Sequence, residues 1–283
     1  MPPESAAALI SEGRWLLDQA QIETAALDSR VLLQYAMGIT HEELIAVPQR
    51  LASDDTARAF RSMVARRSEH EPVSRIIGER EFYGRAFRVT PAVLDPRPDT
   101  ETLVEAALSL LPSHEPRSIM DLGTGSGAII VTLLLERPLV HGTGTDLSPA
   151  ALEVARANAR RYGVLSRLTP IETSWWQGIS GYFDLVVSNP PYIPHAVIDE
   201  LEPEVRNFDP PSALDGGPDG LEAYRRIASG GRAHLAQGGR VLVEIGEGQA
   251  NAVAAIFEEQ GFTAAGQWID LGNRIRCLGF ASS

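Results

Sequence analysis

Lysine is absent from this chain of 283 residues, and all 25 of its basic side chains are arginine. That excludes a Schiff-base lysine and the phosphate-binding lysine of a P-loop. Cysteine is nearly absent: Cys277 stands alone, so no internal disulfide and no cysteine-rich metal site can form. No apolar run approaches the roughly 20 residues needed to span a bilayer. The opening Met1-Pro2-Pro3-Glu4-Ser5 has no basic segment of the signal-peptide kind. A cytoplasmic protein with no membrane association is the expectation. Positive charge is also scarce overall, the net charge being −12. Such a balance argues against a partner that is mainly phosphate backbone. The densest basic stretch is 58–88, where eight arginines meet Glu69, Glu71, Glu79 and Glu81, and it reads as a mixed-charge surface.

What is present divides the chain in three. Residues 1–72 have helical periodicity. Leu9, Ile10, Leu16, Leu17 and Ala20 mark one apolar face, and Leu27, Val31, Leu32, Tyr35 and Ala36 mark a second. Thr40-His41-Glu42-Glu43 is a capping box, and Ser53 or Asp54 caps a further helix. Short connections predict a small helical bundle. Residues 73–94 read as a β-hairpin linker, with strand-like pieces around Gly78 and Gly84. From 95 to 283 strand and helix alternate, the signature of an α/β domain. Strands are expected at 117–122, 139–145, 167–171, 183–188 and 239–245, followed by an antiparallel pair at 264–270 and 274–280. Helices are expected at 126–137, 149–162, 221–236 and 249–260. The polar segment 193–220 is long and rich in Pro, Asp and Gly, and reads as a structureless lid over a substrate.

Asp121-Leu122-Gly123-Thr124-Gly125-Ser126-Gly127 follows a strand and opens a helix, where glycines allow a tight turn and close approach of a ligand. The same letters satisfy a dinucleotide fingerprint through Gly123, Gly125 and Ala128, with Asp146 near the distance of a ribose-binding acid. A nicotinamide enzyme therefore competes with a methyltransferase. Three features favour S-adenosyl-L-methionine. The acid Asp121 precedes the glycines, where it would crowd a pyrophosphate but suit a sulfonium; the glycines are spaced G-x-G-x-G; and the domain closes on an antiparallel pair. Asp146 is then the acceptor for ribose hydroxyls. Trp175 is the candidate for stacking on adenine, while Trp176 reads as a core residue. None of the six histidines sits where the motifs converge, except His195, which reads as a solvent-facing lid residue.

Asn189-Pro190-Pro191-Tyr192 closes the strand expected at 183–188. Two prolines force a stiff extended loop at a strand end, where ligands bind in an open α/β sheet. The loop offers an amide, carbonyls with no N–H beside them, and an aromatic plane, a set suited to a planar NH2 group. With the glycine loop, these residues resemble the class I methyltransferases that modify planar amino or amide nitrogens. Arg80-Glu81-Phe82-Tyr83-Gly84, Pro96-Arg97-Pro98-Asp99-Thr100-Glu101, the Asn189–Ile193 stretch, Phe208-Asp209-Pro210 and Leu214-Asp215-Gly216-Gly217 narrow the resemblance to the PrmC/HemK family. The closing Asp270–Arg276 stretch keeps the Asp and Arg positions but looks shortened.

The resemblance implies a Rossmann-like seven-stranded sheet of the class I S-adenosylmethionine-dependent methyltransferase fold. It implies methylation of the glutamine N5 in the Gly-Gly-Gln loop of bacterial class 1 peptide chain release factors. Asp121, Gly123, Thr124, Gly125, Ser126, Gly127, Asp146, Trp175 and Asn189 would hold the cofactor. Asn189, Pro190, Pro191 and Tyr192 would hold the substrate: Asn189 and the Pro190 carbonyl accept from its NH2, and Tyr192 packs on the amide plane. No metal and no direct nucleic-acid contact are expected. A ribosomal-protein glutamine methyltransferase, or less readily an adenine-N6 or guanine-N2 enzyme, is the alternative; a non-catalytic binding protein of the same fold is a third.

Overall fold

A computed structural model describes residues 4–282. Met1–Pro3, the start of the segment read above for a signal sequence, and Ser283 lie outside the described residues. The chain divides into two compact units, one running up to Glu79 and including Glu202–Phe208, the other made of Arg80–Leu201 and the residues from Asp209 onward.

The first unit holds α1 (Ala6–Gln19), α2 (Ala25–Met37), α3 (His41–Ala46), α4 (Asp54–Ser68) and α5 (Val73–Ile77). Ser5 caps α1, the Thr40/Glu43 capping box opens α3, and Ser53 caps α4. Leu9, Leu17, Leu32, Leu33, Phe60 and Val64 form its core, each fully buried. Two expectations need correcting here. Val73–Ile77 is a helix closed by Gly78 at φ +79°, where strand was expected. And α2 turns Leu27 and Tyr35 outward while burying Ala25, Asp28, Ser29, Leu32 and Leu33.

The face of α2 was misread because its buried stripe contains polar residues. The Ser29 hydroxyl donates to the Ile10 carbonyl (2.9 Å), and Asp28 accepts from Arg67 Nε at 2.7 Å. Arg67 also reaches Glu204 (2.6 Å) and is itself almost fully buried. Its neighbour Arg66 binds Glu71, and Arg61 binds Glu4 and Glu12. Arg67→Ala is expected to destabilise this unit by roughly 3–5 kcal/mol, because Asp28 is left buried without its charge partner. Urea denaturation reads that loss directly; a change near zero would show that Asp28 finds water.

The second unit begins with a hairpin, β1 (Glu79–Phe82) and β2 (Arg85–Arg88). Its turn residues Tyr83 and Gly84 both have positive φ, 53° and 68°, the geometry of a two-residue turn matched to strand twist. Tyr83 tolerates this because Glu101 accepts from its backbone N–H at 2.8 Å. Then follow α6 (Glu101–Leu110), β3 (Arg117–Leu122), α7 (Ala128–Glu136), β4 (Val140–Asp146), α8 (Pro149–Arg161), β5 (Leu168–Glu172) and β6 (Phe183–Ser188). The short helix α9 (Pro203–Arg206), grouped with the first unit, precedes α10 (Glu222–Gly231), β7 (Leu235–Glu244), α11 (Ala250–Glu259), β8 (Phe262–Ile269) and β9 (Ile275–Ser282).

Seven of these strands form one sheet in the order β5-β4-β3-β6-β7-β9-β8. β9 is antiparallel to both of its neighbours, and the other pairings are parallel. Strands covered on both faces need continuous apolar runs, and Leu185-Val186-Val187 and Val241-Leu242-Val243 supply them. One face packs on α6 and α7 through residues such as Leu103, Val104, Leu133 and Ile119. The other packs on α10 and α11 through Tyr224, Ile227, Val253 and Phe257. The order in which strands are added reverses between β3 and β6, opening a crevice at their C-terminal ends. No helix among the described residues is long and apolar enough to cross a membrane.

Candidate active site

The crevice is floored by the turn after β3. Thr124 N–H donates to the Thr145 carbonyl of β4 at 2.7 Å, and Gly127 N–H donates to the Thr124 carbonyl at 2.8 Å. Gly125 lies at φ +54° with open space where a side chain would stand, so only glycine leaves its backbone bare toward a ligand. Its N–H donates to Asp146 Oδ2 at 2.9 Å. Gly127, at φ +78°, serves packing: a Cβ there would come within 3.1 Å of the Ala155 Cβ on α8. Asp146, the last residue of β4, also accepts from Ser148 N–H at 2.9 Å through Oδ1. Each of its oxygens keeps a further lone pair for a ligand.

Asp121 lies one layer behind the turn, fully buried. Its Oδ2 accepts from the Thr124 hydroxyl at 2.7 Å, while Oδ1 has no hydrogen-bond partner. Burial pushes its carboxyl up to about 7, the Thr124 bond opposes the shift, and the charge of Asp146 adds to it. Between the unfolded value near ~4 and about 7 the folded state holds a proton that the unfolded chain has lost. This contribution to stability is full below pH ~4 and is lost as pH rises to about 7. Glu244, also pushed by burial to about 7, acts in the same direction. Asp121→Asn is expected to flatten, without abolishing, the fall in stability between pH 5 and 7.5, about half of it surviving through Glu244. Equilibrium denaturation across that range checks it, and an unchanged slope would disprove the assignment.

The facing wall begins where β6 ends. The Ser188 hydroxyl donates to the Leu122 carbonyl at 2.7 Å, locking the ends of β3 and β6 together. Asn189 follows, half-buried, with its Nδ2 donating to Thr100 Oγ1 at 3.0 Å. Pro190 is buried, and Pro191 faces the crevice. Tyr192 packs against the apolar cluster of α10 and α11, and its carbonyl accepts from Gln249 Nε2 at 3.0 Å. Burial pushes its phenol up to about 12.

Gly123, Thr124, Gly125, Ser126, Asp146, Trp175, Asn189 and Pro191 converge on one cavity. Asp121, Gly127, Pro190 and Tyr192 do not line it and stand behind those that do. Trp175 reaches the cavity wall from a backbone at φ +51°, a conformation a bulky residue rarely adopts. Trp176 is structural, as expected: its Nε1 donates to the Ile227 carbonyl (3.1 Å) and its ring stacks on His234 at 5.0 Å. His195 is exposed, paired with Asp215, whose carboxylate raises its pKa.

The cavity wall also includes residues to which the sequence reading gave no role: Phe82, Arg97, Thr100, Leu147 and Pro210 among them. Leu147 offered a signal, being an apolar residue directly after the candidate ribose acid, and it is largely exposed. The stretch 193–220 corrects the expectation of a structureless lid. His195–Glu200 and Pro211–Ala213 form 3-10 turns, α9 lies between them, and Ile193 bridges to Asp215. Pro210, Ser212 and Ala213 line the cavity, and Asp209 is tied to Arg97 at 2.5 Å.

Strand order, the glycine turn at the switch point and the Asn-Pro-Pro-Tyr loop opposite it define a class I methyltransferase. The methyltransferase small domain family matches residues 99–201, and the PrmC N-terminal domain family matches residues 8–78. A release factor glutamine methyltransferase of Cereibacter sphaeroides is 48% identical over 264 residues, covering 93% of each chain. One of Rhodospirillum rubrum is 44% identical, covering 95% of this chain and 83% of its own. The chain belongs to the release factor glutamine methyltransferase family. Among solved structures, a methyltransferase from Pyrococcus furiosus superposes with a TM-score of 0.53 at 19% identity, over 70% of this chain and 89% of that one. At that identity the likeness is one of fold.

Proposed function

We propose that the protein transfers a methyl group from S-adenosyl-L-methionine to the side-chain amide nitrogen of the glutamine in the Gly-Gly-Gln loop of bacterial class 1 release factors. The observation that carries this reading is the meeting of Asp146 and the bare glycine turn with Asn189 and Pro191 in one cavity, in a chain of this family. The residues fit the cofactor. Gly125 leaves the backbone open, Asp146 has free lone pairs for ribose hydroxyls, and Leu147 and Trp175 offer apolar walls for a base. The buried carboxyl of Asp121, with Oδ1 unpartnered, adds negative potential behind the turn where it is ionised, above about pH 7, and there favours a cation over a pyrophosphate. When bound, the cofactor supplies an electrophilic methyl group on a positively charged sulfur.

The chain's own task is to present the nucleophile. An amide nitrogen is weakly nucleophilic because its lone pair is delocalised into the carbonyl. Asn189 Oδ1, on the cavity wall, accepts from the substrate amide NH2, holds the nitrogen in line and favours positive charge developing on it, while the buried Pro190 shapes the loop behind it. Pro191 has no N–H to compete for that space. Tyr192, set behind the wall, stiffens the loop through its carbonyl bond to Gln249. The N-alkylated amide is strongly acidic and loses its proton without a dedicated base. A reaction on a release factor would be carried out in the cytoplasm.

The test is incubation with methyl-labelled S-adenosylmethionine and a release factor, beside its Gly-Gly-Gln glutamine-to-alanine variant. Label on the first alone is expected. Label on both, or on neither while the cofactor binds, would refute the assigned acceptor.

A further inference from the structure

β6 and β7 run parallel in a register that sets Ser188 opposite Val243. The next residue on each strand is the pair Asn189 and Glu244, delivered side by side at the mouth of the crevice. Glu244 closes the apolar run Val241-Leu242-Val243 and is only 1% exposed. Nothing about an acid there serves the core, since an ionised carboxyl held without hydrogen bonds costs several kcal/mol. It does not line the cavity, so it is not placed to touch a substrate. Burial raises its pKa, and the neighbouring side chains of Thr100 and Asn189 and the positive charge of Arg276 act the other way, favouring its ionised form. Arg276 is itself bound to Asp270 and Asp99, at 3.1 and 3.0 Å. Oε2 of Glu244 has no hydrogen-bond partner.

The side-chain amide of Asn189 has two ends of similar shape and opposite character, an acceptor and a double donor. Which end meets the cavity decides what the site can recognise. Above about pH 7, where the Glu244 carboxyl is ionised, it only accepts, so it sets the direction of the chain of bonds that ends on it. Thr100 accepts from Asn189 Nδ2 at 3.0 Å, which leaves its own hydroxyl proton to turn toward Glu244. With the NH2 end committed to Thr100 and Glu244, Oδ1 is the end left for a ligand. A flipped amide would turn its oxygen toward the carboxylate and its NH2 toward the NH2 of a substrate.

We propose that Glu244 and Thr100 are positioning residues that hold the Asn189 amide with Oδ1 facing the cavity, thereby selecting an NH2-bearing acceptor. The proposal rests on the reading that Asn189 accepts from the substrate amide. It adds what makes Asn189 an acceptor at all.

Glu244→Gln, assayed at about pH 8 where the wild-type carboxyl is mostly ionised, is the decisive variant, since it keeps shape but supplies a donor that lets the Asn189 amide turn over. It is expected to lower kcat on a release factor on the order of tenfold to a hundredfold, less than loss of Asn189 itself. KM and the calorimetric affinity for S-adenosylmethionine should stay within about threefold. Thr100→Val should behave alike, Thr100→Ser should restore most of the kcat, and the double variant Thr100→Val/Glu244→Gln should be no slower than the slower single one, as for groups acting as a unit. Wild-type kcat in Glu244→Gln would overturn the proposal. So would a fall matched by equal losses of melting temperature and cofactor affinity, which marks a structural role. A readout independent of turnover is the Asn189 side-chain amide in 15N-labelled protein. Its NH2 protons should give cross-peaks to the Thr100 methyl, weakened in Glu244→Gln; identical cross-peaks in both would also overturn it. Should the wild-type protein methylate no release factor, the functional reading fails, and these amide spectra still decide the positioning.

Discussion

Asn189→Ala is expected to lower kcat for release factor methylation by roughly 10²–10³, the scale seen when one pre-positioned hydrogen-bonding group is removed from a reacting centre. The loss should fall on kcat and kcat/KM together, because the bond gains its strength as charge develops on the nitrogen. Cofactor affinity should change far less, since the turn after β3 and Asp146 are untouched. Fold stability should also hold, since Asn189 is half-buried and its amide makes one side-chain bond, to Thr100. Single-turnover kinetics with saturating cofactor, beside calorimetry, separate these quantities. A variant that loses cofactor binding in proportion to kcat would place Asn189 in the cofactor site and not at the acceptor nitrogen.

The sequence was most legible where apolar runs are continuous and closed by turn residues. The strands 117–122 and 183–188 were read to the residue, and the antiparallel pair at the C-terminus was placed within two residues at each end. The candidate site was legible to the extent that it is built of contiguous motifs: the glycine turn, Asp146 and the Asn-Pro-Pro-Tyr loop. What stayed hidden depends on partners distant in the chain. Asp28 lies outside the apolar face read for α2, and its partner Arg67 stands 39 residues on. Thr100 and Asn189 are 89 positions apart, and no local pattern marks Glu244 as their neighbour. Its signal was the anomaly of an acid ending a buried strand, which only the register of β6 on β7 turns into a contact. Tyr192 and Pro190 show the converse: the motif naming them was clear, yet both stand behind the cavity wall.

Asp146→Ala is expected to raise the dissociation constant for S-adenosylmethionine by about a hundredfold or more. Two hydrogen bonds to a charged acceptor, at roughly 1.5 kcal/mol or more apiece, amount to about 3 kcal/mol. The carboxylate has a second duty, which sharpens the prediction. It fixes the glycine turn through Gly125 N–H and the start of α8 through Ser148 N–H, each at 2.9 Å. Removing it frees two backbone donors beside the ligand and loosens the turn, so the alanine variant should exceed the arithmetic for the ribose alone. Asp146→Asn separates the duties. Its one carbonyl oxygen can serve the turn or the ribose but supplies no charge, so about a tenfold loss is expected, with the turn largely kept. At saturating cofactor both variants should regain much of the wild-type kcat, because neither touches Asn189 or Pro190. The same calorimetry with a nicotinamide dinucleotide settles the rival reading of the glycine turn, since Gly123, Gly125 and Ala128 satisfy that fingerprint equally well. Binding of the dinucleotide by the wild-type protein, weakened in Asp146→Ala, would make the acid a marker of ribose alone. Binding of S-adenosylmethionine only would leave the buried carboxyl of Asp121, one layer behind the turn and ionised above about pH 7, as the feature that tells the two ligands apart.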